Sequence, residues 1–255
     1  MQNTLYTSPD LYDMFSTGVA GDTDYFARLA AKAGRVLELA CGTGRTLVPM
    51  AKAGARVTGL ELAPDMLATC KQAVEAAGLA RNVTLVKGDM RRFDLKQTFP
   101  LVVIPYRAFQ HLLQVNDQRA CLEHCREHLT RQGRLIVNLF DPNLHLLAAN
   151  LSAHGNAARR VGEASTPDGG RITATAHRTA CPEEQYFVED WVFEKFDKQG
   201  NSQWRKSRVF SMRYFFRYEM EHLFELCGLR IEKLEGGFKG QPYKHGAEQV
   251  WTVRR

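Results

Sequence analysis

Three acids and one glycine turn are spaced so that together they could hold a nucleoside-like ligand. The stretch Val36-Leu-Glu-Leu-Ala-Cys-Gly-Thr-Gly-Arg45 runs from a strand-like segment into a glycine turn. Glycines let a backbone approach a ligand closely, and the helix that follows such a turn presents free N–H groups. Glu38 sits near the end of the strand-like segment. An acid there repels a pyrophosphate and suits a cationic ligand. Glu61 ends the next strand-like run, in Gly59-Leu-Glu-Leu62, where a carboxylate can accept both hydroxyls of a ribose. Asp89 follows a third run, in Val86-Lys-Gly-Asp-Met90. It can accept a hydrogen bond from an adenine amino group while Leu62 and Met90 pack the ring faces. Any one of these acids alone is an ordinary surface carboxylate. At three successive strand ends beside one turn they make a convergent polar site.

The elements that would position these residues follow from the pattern. Arg35–Ala40, Arg56–Leu60, Val83–Val86, Pro100–Pro105 and Arg134–Phe140 are strand candidates, with helical patterns between them that include Leu47–Ala53, a segment from Pro64 to Gly78, and Asp117–Leu129. Strand and helix alternating at this spacing imply right-handed βαβ units and an open parallel sheet. Ligands of such sheets sit beyond the carboxyl ends of the strands, where the three acids fall. The pattern then changes to extended stretches at Arg171–Cys181, Tyr186–Phe196 and Gln203–Arg213, an antiparallel hairpin array with Asp197-Lys-Gln-Gly200 as its best turn signal. Arg217–Leu226 returns to helix, and Leu229–Leu234 and Gln249–Val253 are the last strands. The expected organisation is an N-terminal helical segment plus α/β core over 1–150, a β-rich insertion over 151–215, and the last helix and two strands over 216–255.

Composition bounds the rest. The 255 residues are 44% hydrophobic and 24% charged, an ordinary globular balance that excludes disordered and fibrous chains. The net charge of +6 is dispersed among acids, with no block that would make a nucleic-acid footprint, so no nucleic-acid partner is expected. Met1–Phe15 carries acids where a signal peptide carries bases, and the longest apolar run, around Leu101–Tyr106, is far short of a membrane span. The expectation is a soluble cytoplasmic protein with no membrane partner and six reduced cysteines.

A dinucleotide fingerprint would require a small residue at position 47, where Leu47 stands. Val36–Arg45, Leu60–Leu67 and Gly88-Asp-Met-Arg-Arg-Phe93 instead resemble the S-adenosylmethionine-binding motifs of class I, Rossmann-like methyltransferases. The Glu-Leu-Ala-Cys-Gly-Thr-Gly string is highly specific, and the resemblance covers Tyr12–Phe140. Within that superfamily the chain is similar to small-molecule enzymes such as glycine N-methyltransferase and the aminosugar N,N-dimethyltransferases, through Leu11–Phe15, Gly88–Arg91 and Leu229–Gly237. The resemblance implies a seven-stranded sheet with helices on both faces and an antiparallel β insertion after the fifth strand. It also implies S-adenosylmethionine as cofactor and S-adenosylhomocysteine as product. Glu38 and the Ala40, Cys41, Gly42 and Gly44 backbone would hold the methionine portion, Glu61 the ribose, and Asp89 and Met90 the adenine, with Leu62 and Met66 also among the cofactor-binding residues. Arg45 would either reach the methionine carboxylate or stand as a helix-surface cation. Tyr106 would lie near the reacting methyl, and Tyr12 and Tyr25 belong to a segment that folds over the cofactor in such enzymes.

Methyl transfer needs a nucleophile aligned with the carbon–sulfur bond, and a base only if that nucleophile arrives protonated. Candidates lie in Tyr106-Arg-Ala-Phe-Gln-His-Leu112. His111 is the choice for a base or substrate contact, because its free pKa lies near neutrality, set against a helix-start histidine bonded to backbone. Tyr106 shares the catalytic assignment. Arg107 could pair with a substrate carboxylate or phosphate, and Tyr12 could contact substrate as well as cofactor. The aromatics Tyr186, Phe187, Trp191, Phe193 and Trp204 suit a lid, a homodimer surface or plain packing, and Tyr243 and His245 could close the pocket. Cys121, His124, Cys125 and His128 resemble a metal half-site, but one helix cannot converge all four on an ion, so no metal is expected and the cysteines are expected buried with the histidines exposed. Against methylation of a small-molecule nitrogen or oxygen stand two alternatives: an RNA or protein methyltransferase, and a non-catalytic cofactor-binding interaction protein.

Overall fold

The computed structural model describes residues 4–151 and 158–255. Residues 1–3, at the start of the expected helical segment, and 152–157, early in the expected insertion, lie outside them. In chain order the strands are Arg35–Leu39 (β1), Arg56–Glu61 (β2), Val83–Lys87 (β3), Phe99–Ile104 (β4), Leu129–Phe140 (β5), Arg159–Ser165 (β6), Arg171–Cys181 (β7), Tyr186–Phe196 (β8), Ser202–Arg213 (β9), Arg230–Glu235 (β10) and Glu248–Arg254 (β11). The helices are Pro9–Phe15 (α1), Asp22–Ala33 (α2), Leu47–Lys52 (α3), Pro64–Ala76 (α4), Val115–Glu127 (α5), Leu144–Leu151 (α6) and Arg217–Leu226 (α7). No described helix is long and apolar enough to cross a membrane.

Two compact units result. One comprises Gly18–Asn143 with Tyr214–Arg255. Its seven strands pair in the order β10-β11-β5-β4-β1-β2-β3. β1 to β5 are parallel and β11 runs antiparallel to both its neighbours. The central strands β1 and β4 are buried nearly throughout, as covering on both faces requires. One apolar core holds Phe109, Cys121, Leu122, Cys125, Phe215 and Trp251. The other holds Phe26, Leu47, Met50, Cys70, Ile136 and Phe238. In α4, Pro64 occupies the first helical turn with Asp65, and Met66, Cys70 and Val74 turn one face inward. In α5, Cys121 and Cys125 are core residues, as expected, but His128, just past the helix end, is buried rather than exposed. Its Nδ1 bonds the His124 carbonyl at 2.8 Å and its Nε2 accepts from the Leu95 N–H at 3.0 Å, so it joins two backbone segments.

The other unit contains the stretch ending at Thr17 together with Leu144–Arg213. The N-terminal helix α1 thus groups with the insertion, and the division falls after residues 17, 143 and 213. Its sheet has the antiparallel order β6-β7-β8-β9, four strands where the sequence pattern showed three. β6 escapes sequence reading because Arg159-Arg-Val-Gly-Glu-Ala-Ser165 holds a single strong strand former, Val161, and is held by pairing with β7 across the chain. The Asp197–Gly200 turn joins β8 to β9, with Asp197 Oδ1 accepting from the Gln199 and Asn201 N–H groups, each at 2.9 Å. Leu5, Leu11, Ile172, Ala174 and Phe193 form this unit's core, with Trp191 and Trp204 packed against it.

One packing relation in the larger unit bears directly on the glycine turn. Leu47, fully buried, occupies the place where a dinucleotide fold carries a small residue. Its space comes from the neighbouring strand. A Cβ on Gly59 would fall 2.5 Å from Leu47 Cδ1 and 2.9 Å from Cys41 Sγ. Gly59→Ala should therefore lower stability by about 1–3 kcal/mol through overpacking, read as a reduced Tm. Gly59→Ala combined with Leu47→Ala should recover part of that loss relative to the sum of the single changes. Strict additivity of the two would refute the pairing.

Candidate functional site

The turn after β1 is built from backbone strain and one carboxylate. Ala40, Gly42 and Gly44 have φ of 53°, 57° and 93°. The non-glycine member, Ala40, sits in a region that L-residues rarely enter. At Gly44 a side chain is excluded twice, by its φ and by Cys70 Sγ, which lies 2.8 Å from where its Cβ would be. Glu61, at the end of β2, reaches across: Oε2 accepts the Gly42 N–H at 2.9 Å and Oε1 accepts the Ala63 N–H at 2.8 Å. Burial raises the Glu61 carboxyl, and these backbone donors work against that rise. Each oxygen retains a further lone pair for a ligand hydroxyl. Cys41 and Met66 are buried beneath the turn, with Met66 Cε 3.6 Å from the site of a Gly42 Cβ.

Beside the turn lies a cavity of about 260 Å³ at the carboxyl edge of the sheet. Ala40, Glu61, Leu62, Asp89 and Met90 line it, so the structure brings these sequence candidates together. Leu62 is 43% exposed, an open apolar wall. Asp89 is clamped by Arg91, whose Nη2 is 2.6 Å from Oδ2 and whose backbone N–H donates to Oδ1 at 2.9 Å. That guanidinium holds the Asp89 carboxyl below its usual range, so it stays an acceptor. Arg91 also reaches Asp117 at 3.1 Å, and Asp117 and Leu112 complete the wall. Arg91, Leu112 and Asp117 were not singled out from sequence. Arg91 and Leu112 fall inside the Gly88–Phe93 and Tyr106–Leu112 strings, which were the available signals. His111, expected as a base, lines this same cavity with Leu62 and Met90.

The residues present fit a nucleoside. Leu62 and Met90 supply apolar surface for a base, Asp89 and His111 supply polar groups for its edge, and Glu61 has acceptors for a diol beside a backbone cradle.

Other candidates are placed differently. Glu38 is wholly buried and does not line the cavity. The Thr46 hydroxyl donates to Oε1, and Oε2 has no hydrogen-bond partner. Burial pushes this carboxyl up to about 8, opposed by Thr46 and the nearby Arg45 charge and reinforced by Glu61 and Asp22. Arg45 is paired rather than free at the surface. It forms a two-bond pair with buried Asp22, at 2.9 and 2.7 Å, and its guanidinium stacks 4.6 Å from the Tyr106 ring centroid. Asp22 went unnoticed because only the fold carries α2 to the turn. Tyr106 and Arg107 both have left-handed φ, 49° and 67°, consecutive strained residues at the end of β4. Arg107 is committed to Glu248, which also accepts from Asn138 Nδ2 at 2.8 Å. Its charge is therefore already paired. Tyr25 packs between Phe26 and Phe238, and its hydroxyl lies 3.5 Å from Glu235 Oε2. Burial and that carboxylate raise it to about 12. Tyr12 belongs to the smaller unit, its ring 6.0 Å from Tyr6. Tyr243 and His245 both meet Asp141, at 2.7 and 3.0 Å, an acid immediately after β5 that sequence reading passed over.

Two outcomes are expected. Glu61→Ala should weaken S-adenosylhomocysteine binding about 100-fold, since charged-acceptor hydrogen bonds contribute about 1.5–3 kcal/mol each. Unchanged calorimetric affinity would refute the diol assignment. For Glu38, a carboxyl raised in the fold contributes stability below the ordinary carboxylate range that is lost as pH rises toward 8. Thermal unfolding of Glu38→Gln should therefore match the parent near pH 4 and exceed it increasingly up to pH 8. Parallel curves would overturn the buried-acid account.

Comparison with known proteins agrees with this geometry. Residues 36–133 match the family model of the methyltransferase domain. The chain is 27% identical over 245 residues to dTDP-3-amino-3,6-dideoxy-alpha-D-glucopyranose N,N-dimethyltransferase of Streptomyces fradiae, covering 91% of this chain and 87% of that one. It is 27% identical to dTDP-3-amino-3,4,6-trideoxy-alpha-D-glucopyranose N,N-dimethyltransferase of Streptomyces venezuelae, covering 91% and 94%. The solved structure of the CcbJ methyltransferase from Streptomyces caelestis superposes with a TM-score of 0.81 at 24% identity, covering 100% of this chain and 99% of that chain. The strained glycine turn and its bridging carboxylate lie within the segment matched to the methyltransferase domain, and the chain as a whole carries the fold of the superposed methyltransferase structure.

Proposed function

We propose that the enzyme methylates the nitrogen of a small-molecule acceptor, an amine of the amino-sugar kind, in the cytoplasm. The observation that carries this reading is similarity along nine-tenths of the chain to two enzymes named as amino-sugar N,N-dimethyltransferases. Six free cysteines, five of them buried, accord with a reducing compartment.

Bound at the turn, S-adenosylmethionine supplies a sulfonium methyl already activated for displacement. The chain's work is binding and alignment. Glu61 and the Gly42 N–H fix the turn, Leu62 and Met90 would hold the base, and the Arg45–Tyr106 stack ties the end of β4 to the segment after the turn. Orientation of this kind can supply about 7–11 kcal/mol of barrier reduction. An amine arrives as an ammonium at neutral pH and must lose a proton before it attacks.

Isotope-labelled S-adenosylmethionine incubated with nucleotide-linked amino sugars should give mono- and dimethylated products by mass spectrometry. Failure on every amine tested, with S-adenosylhomocysteine still bound, would reject the acceptor class. His111 separates two roles. As a cavity wall, His111→Ala should raise the S-adenosylhomocysteine Kd about tenfold. As the base, it should leave Kd unchanged and depress kcat.

A further inference from the structure

The amino edge of the seven-stranded sheet holds a second hollow, of about 230 Å³, at the opposite strand ends from the cofactor cavity. Topology assembles it. β1 and β2 begin on Arg35 and Arg56, which are direct register partners. Arg81 stands two residues before β3 on the next strand along. All three arginines line the hollow, with Thr58 and Thr84, register partners one step further in, among the lining residues. No Asp or Glu lines it. Among the described residues, the side chains of Arg56 and Arg81 make no hydrogen bond or ion pair, and the Arg35 side chain donates once, from Nη2 to the Thr98 carbonyl at 3.1 Å.

Like charges directly opposite on adjacent strands destabilise a sheet. Here two are paired in register and a third is added, with no carboxylate on the lining, an arrangement that an anion would resolve. Guanidinium forks match the oxygen geometry of phosphate. The volume falls below the roughly 300–1,000 Å³ that encloses a whole small-molecule ligand, so the hollow suits an anionic group rather than a complete nucleotide. A single-stranded nucleic acid would need a groove with stacking aromatics. The one aromatic here, Phe99, is buried.

We propose that this hollow is an oxyanion site for a phosphate or diphosphate group, separate from the site of methyl transfer. The probe is sodium pyrophosphate, titrated calorimetrically into the full chain at low ionic strength. Saturating S-adenosylhomocysteine closes the glycine turn to the probe. Pyrophosphate should bind with a Kd of about 1 mM or tighter. The affinity should fall at least about tenfold in Arg56→Gln and in Arg81→Gln, and vanish in the double variant. S-adenosylhomocysteine affinity should be the same in all four proteins, which shows that each is folded. Arg56→Gln should also raise Tm without pyrophosphate, by relieving the Arg35–Arg56 repulsion, and abolish the Tm gain that pyrophosphate gives the parent. Absence of binding to the parent, or equal binding to the double variant, would overturn the proposal.

Discussion

The carboxylate of Glu61 is the tie on which the site depends. One oxygen holds the Gly42 amide, in the turn after β1, and the other holds the Ala63 amide, at the entry to α4. A single buried acid thus fixes two strand-end loops relative to each other. It also keeps a polar face toward the cavity. A buried carboxylate is costly unless its oxygens are satisfied. Backbone amides meet that cost without bringing in a counter-charge, which leaves the remaining lone pairs for a ligand.

The same turn is supported from below by a redistribution of volume. A close helix–strand approach is ordinarily secured by a small residue at the third position of the glycine string. Here Leu47 fills that place and Gly59 on β2 supplies the missing room. Cys41, Leu47 and Cys70 pack in the same core behind the turn. The turn's left-handed residues therefore rest on a close-packed base, and packing of this density is what maintains strained backbone.

Charges around the site are arranged in pairs. Asp22 holds Arg45, Asp89 holds Arg91, and Glu248 holds Arg107. Two acids differ: Glu61 is held by backbone amides, and Glu38 is buried with one oxygen unpartnered and a carboxyl raised to about 8. Its protonated form relieves the charge crowding from Glu61 and Asp22. On the far edge of the same sheet the pairing rule fails in the other sense, with Arg35, Arg56 and Arg81 sharing a hollow lined by no acid.

Much of the fold was legible in the chain itself. Parallel strands β1 to β3 announce themselves as runs rich in aliphatic and β-branched residues that lead into a glycine turn or an acid, and their carboxyl ends carry Ala40, Glu61, Asp89 and Met90 to one cavity. These are local signals, since a strand's direction and the residue that follows it are written in consecutive positions. What the sequence did not show are relations between distant positions. Asp22 meets Arg45, Glu248 meets Arg107, and Asp141 meets Tyr243 and His245 only because β-strand order and helix packing bring them together. β6 likewise exists through its pairing with β7, not through its own composition. His111 shows the boundary most clearly. Its type and its place after β4 suggested acid–base chemistry, and the tertiary structure puts it on the cavity that Glu61, Asp89 and Met90 line, because a side chain's neighbours are set by the packing of other elements and not by its own position in the chain.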